Sequence, residues 1–344
     1  MTGTESALAL AASFAGTSLL ALGLRAVLLR RAILDIPNER SSHQVPVPRG
    51  GGIAFVVPCV AGLAAATLAG SGAEGSLAAA TGIAGVGAVG LVDDIRGVRP
   101  SVRLAVHLAC GTLATWTAAA MLAGTLGVPA VALAVPLSLA AAWFVNMVNF
   151  MDGIDGIAGA EGAFVLGAAG ALAVAGTDGA SPPVARCALL CAASVAGFTA
   201  VNMSRLRIFM GDCGSGALGL LVAWLLATAV ATGALSPWTA VALPAAFTAD
   251  AVVTLARRLA AGQSPVAAHR THAYQRLVRR GAGHRAVTLG YAAINLAVVL
   301  PVAWMAGSAT APVAAAMVAG LHAALAAAAF ALGAGREPAG APAR

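Results

Sequence analysis

The chain has 344 residues, of which 60% are hydrophobic and only 10% charged, with a formal net charge of +7 and a mean hydropathy of +0.88. A soluble chain carries roughly 25% charged residues, so this composition excludes an ordinary soluble domain and points to an integral membrane protein. The positive charge does not call for nucleic acid, because anionic lipid headgroups are its natural counterpart.

Apolar stretches of membrane-spanning length, about 20 residues each, run over 6–29, 51–70, 76–92, 102–124, 126–148, 158–177, 184–203, 214–234, 237–256, 287–308 and 311–333. They predict an all-α polytopic protein with about eleven transmembrane helices, ten being the alternative count, in a single domain over 1–344. The first stretch carries Glu5 with no basic segment before it and is followed at once by Arg30 and Arg31. It reads as a retained helix with its N-terminus outside. The threading then places segments 30–50, 93–101, 149–157, 204–213, 257–286 and the C-terminal tail on one side. Every basic side chain is Arg, and all but Arg25 and Arg186 fall in those segments or at their edges, whereas the other side carries Glu5, Glu74 and Asp178. By the positive-inside rule the Arg-rich side is cytoplasmic, which predicts a multi-pass protein of the plasma (inner) membrane. The cysteines at 59, 110, 187, 191 and 213 lack metal-ligand spacing and read as small apolar residues.

The distinctive polar residues fall on the Arg-rich side. A loop at 35–52 reads DIPNERSSHQVPVPRGGG. Asp93 and Asp94 end the third helix, where negative charge opposes the helix dipole and a bound cation would relieve it. NFMDGIDGIAG at 149–159 holds Asp152 and Asp155, each before a glycine, a favoured turn pair. RIFMGDCGSGALG at 207–219 opens the eighth helix; its start is either capped by Asp212 or able to take phosphate on free N–H groups. HRTHAYQRL at 269–277 lies in a basic loop. His107 and His322 sit within spans and read as packed residues. Asp250 lies about one and a half to two turns inside the ninth helix by the usual rise, as either a functional group or a hydrogen-bonded structural one. Carboxylates suit Mg²⁺, which binds through one or two of them plus substrate phosphates, and arginines suit phosphate. Together these features suggest phosphoryl or phosphoglycosyl transfer between a soluble diphosphate and a lipid-borne acceptor. The rival class is a cation- or proton-coupled transporter, whose site would lie near the midplane between inverted repeats; the crowding of polar groups at one surface disfavours it.

The ordered set PRGGG at 48–52, DDIRGVRPSVRL at 93–104, NFMDGIDGIAG, RIFMGDCGSGALG and HRTHAYQRL resembles the polyprenyl-phosphate N-acetylhexosamine-1-phosphate transferases, glycosyltransferase family 4. The resemblance implies a Mg²⁺ enzyme, Mn²⁺ being able to substitute, that moves a sugar 1-phosphate from a UDP-sugar to undecaprenyl phosphate and releases UMP. By position it implies catalytic roles for Asp93, Asp94, Asp152, Asp155, Asp212 and His272, with Asp212 and Asp152 on the metal. It implies substrate contacts for Asn149, Arg49, Arg103, Asn202, Gly211, His269, Arg270 and Arg276, and within the histidine segment HRTHAYQRL it puts His272, Arg270 and Arg276 on the diphosphate. The acceptor monoester has a second pKa of about 6 and is largely dianionic at neutral pH, so electrostatic neutralisation outweighs base catalysis. Asp93 as a base, or a carboxylate nucleophile in a two-step route, stays open. Departures are Arg103 where the family commonly has lysine, His107 where it often has glutamine, and Tyr274 and Gln275 in place of histidines. The resemblance is closest to the members that initiate O-antigen and common-antigen synthesis, and the AYQRL form, which lacks the multi-histidine run of the common-antigen enzyme, is similar to the O-antigen fucosamine or quinovosamine phosphate transferase branch. Spans rich in Ala and Gly suit tight helix pairing or a homodimer equally.

Overall fold

The computed structural model describes residues 3–35, 46–176, 182–264 and 269–337. Residues 36–45 of the first Arg-rich loop, and Asp178, lie outside the described residues. The helices are α1 (Gly3–Arg30), α2 (Ile53–Leu68), α3 (Ser76–Arg96), α4 (Pro100–Leu126), α5 (Ala130–Met151), α6 (Ile157–Ala175) and α7 (Pro183–Asn202). They continue as α8 (Gly211–Ala231), α9 (Pro237–Ala242), α10 (Ala245–Ala260), α11 (Ala273–Arg279), α12 (His284–Ile294), α13 (Leu300–Ser308) and α14 (Ala311–Ala331). All eleven apolar stretches are therefore helical. Among the described residues, nine helices are long and apolar enough to cross a membrane.

The two stretches outside that number have local causes. The second is the 16-residue α2. The ninth, expected as one helix over 237–256, is broken at Pro244, which separates α9 from α10; proline lacks the N–H the ladder needs and clashes with the preceding turn. In the tenth, a π-helical turn at Asn295–Val299 joins α12 to α13 just ahead of Pro301, a second adjustment of the ladder at a proline.

Helix boundaries follow the chain's punctuation. Pro100 and Pro183 open α4 and α7 with φ already set for a helix. The helix α5 ends because Asp152 leaves helical geometry (φ −87, ψ 50), and Gly156 at φ 80 redirects the chain into α6. DGIDG is thus a five-residue link between α5 and α6.

The core gathers around α8, where 89% of the spanning window is buried against 11% for α1. A helix apolar on every side is a central one, and α8 is packed by α3, α4, α5 and α6. The sequence reading did not anticipate a two-stranded antiparallel pair, β1 (Leu34–Asp35) with β2 (Val47–Pro48). At the end of β2, Phe209 N–H donates to Pro48 O, and just beyond it Gly51 and Gly52 donate to Phe209 O and Met210 O. The PRGGG segment is thereby laced along the approach to α8, which sets Arg49 beside that helix's first turn.

Candidate active site

Five elements bring charged side chains to one end of the bundle. Asp94, from the last turns of α3, accepts hydrogen bonds from the backbone N–H of Asp212 at 3.0 Å and of Cys213 at 3.2 Å. It also pairs with Arg49 Nε at 2.7 Å. Asp94 therefore caps α8 from another helix, satisfying two of the N–H groups that a helix start leaves unpaired. Gly211, at φ +72, makes this approach possible: a Cβ there would collide with the Asp94 carboxylate. The glycine-eased helix start, expected to accept phosphate or to be capped by Asp212, is occupied by this carboxylate.

Asp212 stands at the centre. Arg49 Nη2 reaches its Oδ1 at 3.1 Å, Arg103 Nη1 its Oδ2 at 3.0 Å, and Asn149 Nδ2 its Oδ2 at 3.5 Å. Arg103 also pairs with Asp93, whose other oxygen accepts from Val98 N–H at 2.6 Å. Ser215 holds Asn149 by donating to its Oδ1 at 2.9 Å. Side-chain exposure separates the three carboxylates: Asp94 4%, Asp93 12% and Asp212 18%, against 37% and 29% for Arg49 and Arg103. Asp94 is enclosed, while Asp212, Asp93 and both guanidiniums present part of themselves outward. The carboxylates lower the energy of the Arg49 charge more than burial raises it, so its pKa lies above the ordinary value.

Asp152 and Asp155 diverge. The Asp152 carboxyl is pushed well above its usual range by burial, then by the charges of Asp212 and Asp94. Asp155 turns to a second group, with Arg207 Nε at 3.4 Å, His284 Nδ1 at 3.3 Å, and the Thr288 hydroxyl donating to its backbone carbonyl at 2.8 Å. It ties the start of α12 and the loop before α8 to the DGIDG link.

The histidine segment folds over this link. Tyr274 donates to Phe150 O at 3.0 Å, and Gly153 leaves room for the phenol, since a Cβ there would strike the Tyr274 oxygen. Burial, then the charges of Asp250 and Asp152, hold Tyr274 un-ionised by raising its pKa well above the ordinary value. His272 is buried, stacked on Phe150 (centroids 6.5 Å), Tyr274 (5.8 Å) and His269 (5.1 Å). Burial, then the neighbouring His272 and Arg258, lower the His269 pKa to about 3. Gln275, where the resemblance leads one to expect a histidine, accepts from His272 N–H at 3.3 Å and caps α11.

Other expected contacts go to the scaffold. Asn202 is buried and donates to Ile208 O at 2.7 Å, bracing the loop before α8. Arg276 reaches Leu332 O at 3.1 Å and Arg336 O at 2.8 Å, holding the segment after α14. Arg270 lies on the chain entering α11. Arg25, which lies apart from the Arg-rich segments in sequence, donates to Arg207 O at 3.3 Å and so reaches the same end of the bundle. The sequence reading passed over Glu161, Asn295 and Tyr291. Glu161 and Asn295 are buried and bonded at 2.5 Å between α6 and the π-helical turn, and Tyr291 donates to Asp250 at 2.8 Å. A lone acid inside one span, and Tyr and Asn at helical i, i+4 spacing inside another, were the available signals.

Among the described residues no three His, Cys, Asp or Glu side chains form a ready-made metal cage. The donor set still fits Mg²⁺, which uses one or two carboxylates and fills its octahedron with water and phosphate oxygens. Asp212 is partly exposed, and Asp152 carries a carboxyl whose charge its acidic neighbours oppose; a cation relieves that opposition.

Residues 76–230 match the sequence family described as Glycosyl transferase family 4. The match covers α3 to α8 and so includes Asp93, Asp94, Asn149, Asp152 and Asp212. The decaprenyl-phosphate N-acetylglucosaminephosphotransferase of Mycobacterium tuberculosis is 30% identical over 303 residues, covering 77% of this chain and 74% of that protein. The Mycolicibacterium smegmatis protein of the same name is 29% identical over 304 residues, covering 77% and 73%. The undecaprenyl-phosphate alpha-N-acetylglucosaminyl 1-phosphate transferase of Escherichia coli K12 is 38% identical over 79 residues, 22% of each chain. With this fold, this cluster and the two mycobacterial relatives matched over about three quarters of their length, the chain belongs to glycosyl transferase family 4.

Proposed function

We propose that the protein transfers an N-acetylhexosamine 1-phosphate from a UDP-sugar to a polyprenyl phosphate, releasing UMP, at the cytoplasmic face of the plasma membrane. The observation that carries this reading is the junction of α3, α4, α5, α8 and the PRGGG segment, where Asp93, Asp212, Arg49, Arg103 and Asn149 meet at one end of a membrane bundle. The names of the relatives support a polyprenyl phosphate as acceptor and a phosphorylated N-acetylglucosamine as the transferred group. N-acetylglucosamine is therefore the first sugar to test, and undecaprenyl and decaprenyl phosphate are the two acceptors. Transfer to such a carrier is a first membrane step in building a cell-envelope polysaccharide, O-antigen synthesis being one such pathway.

The chemistry joins two anions, and the chain's part is to make that meeting affordable. Arg49 and Arg103 already bridge carboxylates and expose part of each guanidinium, so they can turn toward phosphate oxygens without a new charge being buried. Asp212 and Asp152 would hold Mg²⁺, which when bound supplies charge neutralisation on the diphosphate and on the departing nucleotide. Asp94 keeps the first turn of α8, and hence Asp212, fixed. Asn149, oriented by Ser215, holds the Asp212 carboxylate from the other side. Asp93, paired to Arg103 and partly exposed, is the carboxylate best placed beside the acceptor phosphate. A dianionic acceptor needs little general-base help, so orientation and electrostatics dominate.

The test is transfer of label from UDP-sugars carrying a labelled β-phosphate into lipid, by purified protein with undecaprenyl or decaprenyl phosphate and Mg²⁺. Labelled lipid with one sugar of the panel supports the reading. No labelled lipid with any donor, together with cation- or proton-driven uptake in proteoliposomes, would replace it with the transporter reading.

A further inference from the structure

Asp250 is buried in α10 and collects five donors. Its Oδ1 accepts from Ala273 N–H at 2.8 Å and the Thr254 hydroxyl at 3.1 Å, with His272 Nδ1 at 3.3 Å. Its Oδ2 accepts from the Tyr291 hydroxyl at 2.8 Å and Tyr274 N–H at 3.2 Å. An ionised carboxylate only accepts, and offers about four lone-pair sites, so this one is filled. The nitrogen of His272 that faces it must then be a donor. In a ring with one hydrogen, that hydrogen sits on Nδ1, and Nε2 is left with a lone pair. Nε2 is itself buried and has no hydrogen-bond partner, a costly state for a ring nitrogen. The ring stacks on Phe150, which follows Asn149 and precedes Asp152 by two residues, so it borders the acidic cluster. His269, the half-buried outer ring of the same stack, covers it at 5.1 Å.

We propose that Asp250 is a positioning residue that holds His272 with its hydrogen on Nδ1, so that Nε2 accepts a hydrogen bond from a hydroxyl or imide N–H of the nucleotide-sugar donor once His269 is displaced. His272 is then a specificity residue for the soluble substrate, reading a donor group, and not a ligand of the diphosphate as its place in the histidine segment implied. The proposal rests on the functional reading above for the identity of the substrate.

Two measurements test it. The first is ¹⁵N NMR of histidine-labelled protein in detergent, with the His272 signals identified by their absence in His272→Gln. The expected result is a singly protonated ring with hydrogen on Nδ1; hydrogen on Nε2 alone, or a doubly protonated ring, overturns the proposal and does not depend on activity or on any Asp250 variant folding. The second compares KM for the UDP-sugar used best with KM for its 2′-deoxy, 3′-deoxy, N3-methyl and sugar-deoxy analogues. One analogue is expected to lose on the order of 10-fold in wild type, the scale of a lost hydrogen bond that leaves a buried partner unpaired, and much less in His272→Gln. In the same assay Asp250→Asn is expected to raise KM, and its effect to shrink in the His272→Gln background, because a residue acting through another is not additive with it. Equal losses in both backgrounds, or full discrimination retained by His272→Gln, overturn the proposal while leaving the transferase reading intact. Absence of transfer from every donor defeats that reading instead, and the NMR result still decides the tautomer.

Discussion

Two buried aspartates at the same end of the bundle do the same structural job in different company. Asp94 caps α8 and is paired with Arg49; Asp250 caps α11 and is surrounded by two hydroxyls, two backbone N–H groups and one imidazole. The first cap supports a cluster with two partly exposed arginines, suited to multiply charged phosphate. The second sits among neutral donors and aromatic rings, suited to reading a hydroxyl or N–H. A carboxylate near the site is assigned by its partners: where it satisfies a helix start it holds the machinery, and where part of it stays outward, as in Asp212, it can join the chemistry.

Substitution separates the two kinds of acid, and the largest effect is expected at the outward carboxylate. Asp212→Asn keeps the shape but removes the charge at the centre of the cluster, and transfer should fall on the order of 10²-fold or more, with little change in the detergent melting temperature. Asp94→Ala should do the reverse in kind: it strands Arg49 and two helix N–H groups and should cost about 2 kcal/mol of stability, the upper end for a lost cap, with Asp94→Asn intermediate. A thermal melt that leaves Asp94→Ala unchanged would remove the distinction between the two acids. Gly153→Ala pushes a methyl into the Tyr274 phenol, an overpacking worth about 1–3 kcal/mol. Adding Tyr274→Phe should return most of that, read as recovered melting temperature in the double variant. The smallest effect is expected for Arg276→Gln, which loses bonds to Leu332 and Arg336 carbonyls, about 1 kcal/mol of stability, and leaves KM for the donor unchanged. A large rise in KM would put Arg276 back on the diphosphate.

Much of this was legible in the sequence because membrane physics leaves few choices. Every apolar stretch is helical and all but the ninth run without a break in the helix, and the motifs converge because alternate helix ends must share a face. What sequence periodicity could not supply was contact across elements. Pro244 broke the ninth span, a break visible as a residue type but not as a consequence. Gly211 was read as part of a helix start open to phosphate and Gly153 as part of a turn, yet protein groups close on both, because spacing along the chain does not say which neighbour approaches. Asp94 and Asp250 carried the same ambiguity between chemistry and structure until their donors were known. Asn202 and Arg276 were expected at the substrate from the resemblance, but their polar atoms close onto backbone carbonyls, a pairing that no local pattern announces.

The most direct test of the account is UMP release by the purified protein, measured with and without polyprenyl phosphate and with and without Mg²⁺, beside Asp212→Asn in the same detergent. The account predicts UMP only when lipid, metal and UDP-N-acetylhexosamine are all present, and its loss in the variant. UMP formed without lipid, or at wild-type rate by Asp212→Asn, would contradict it.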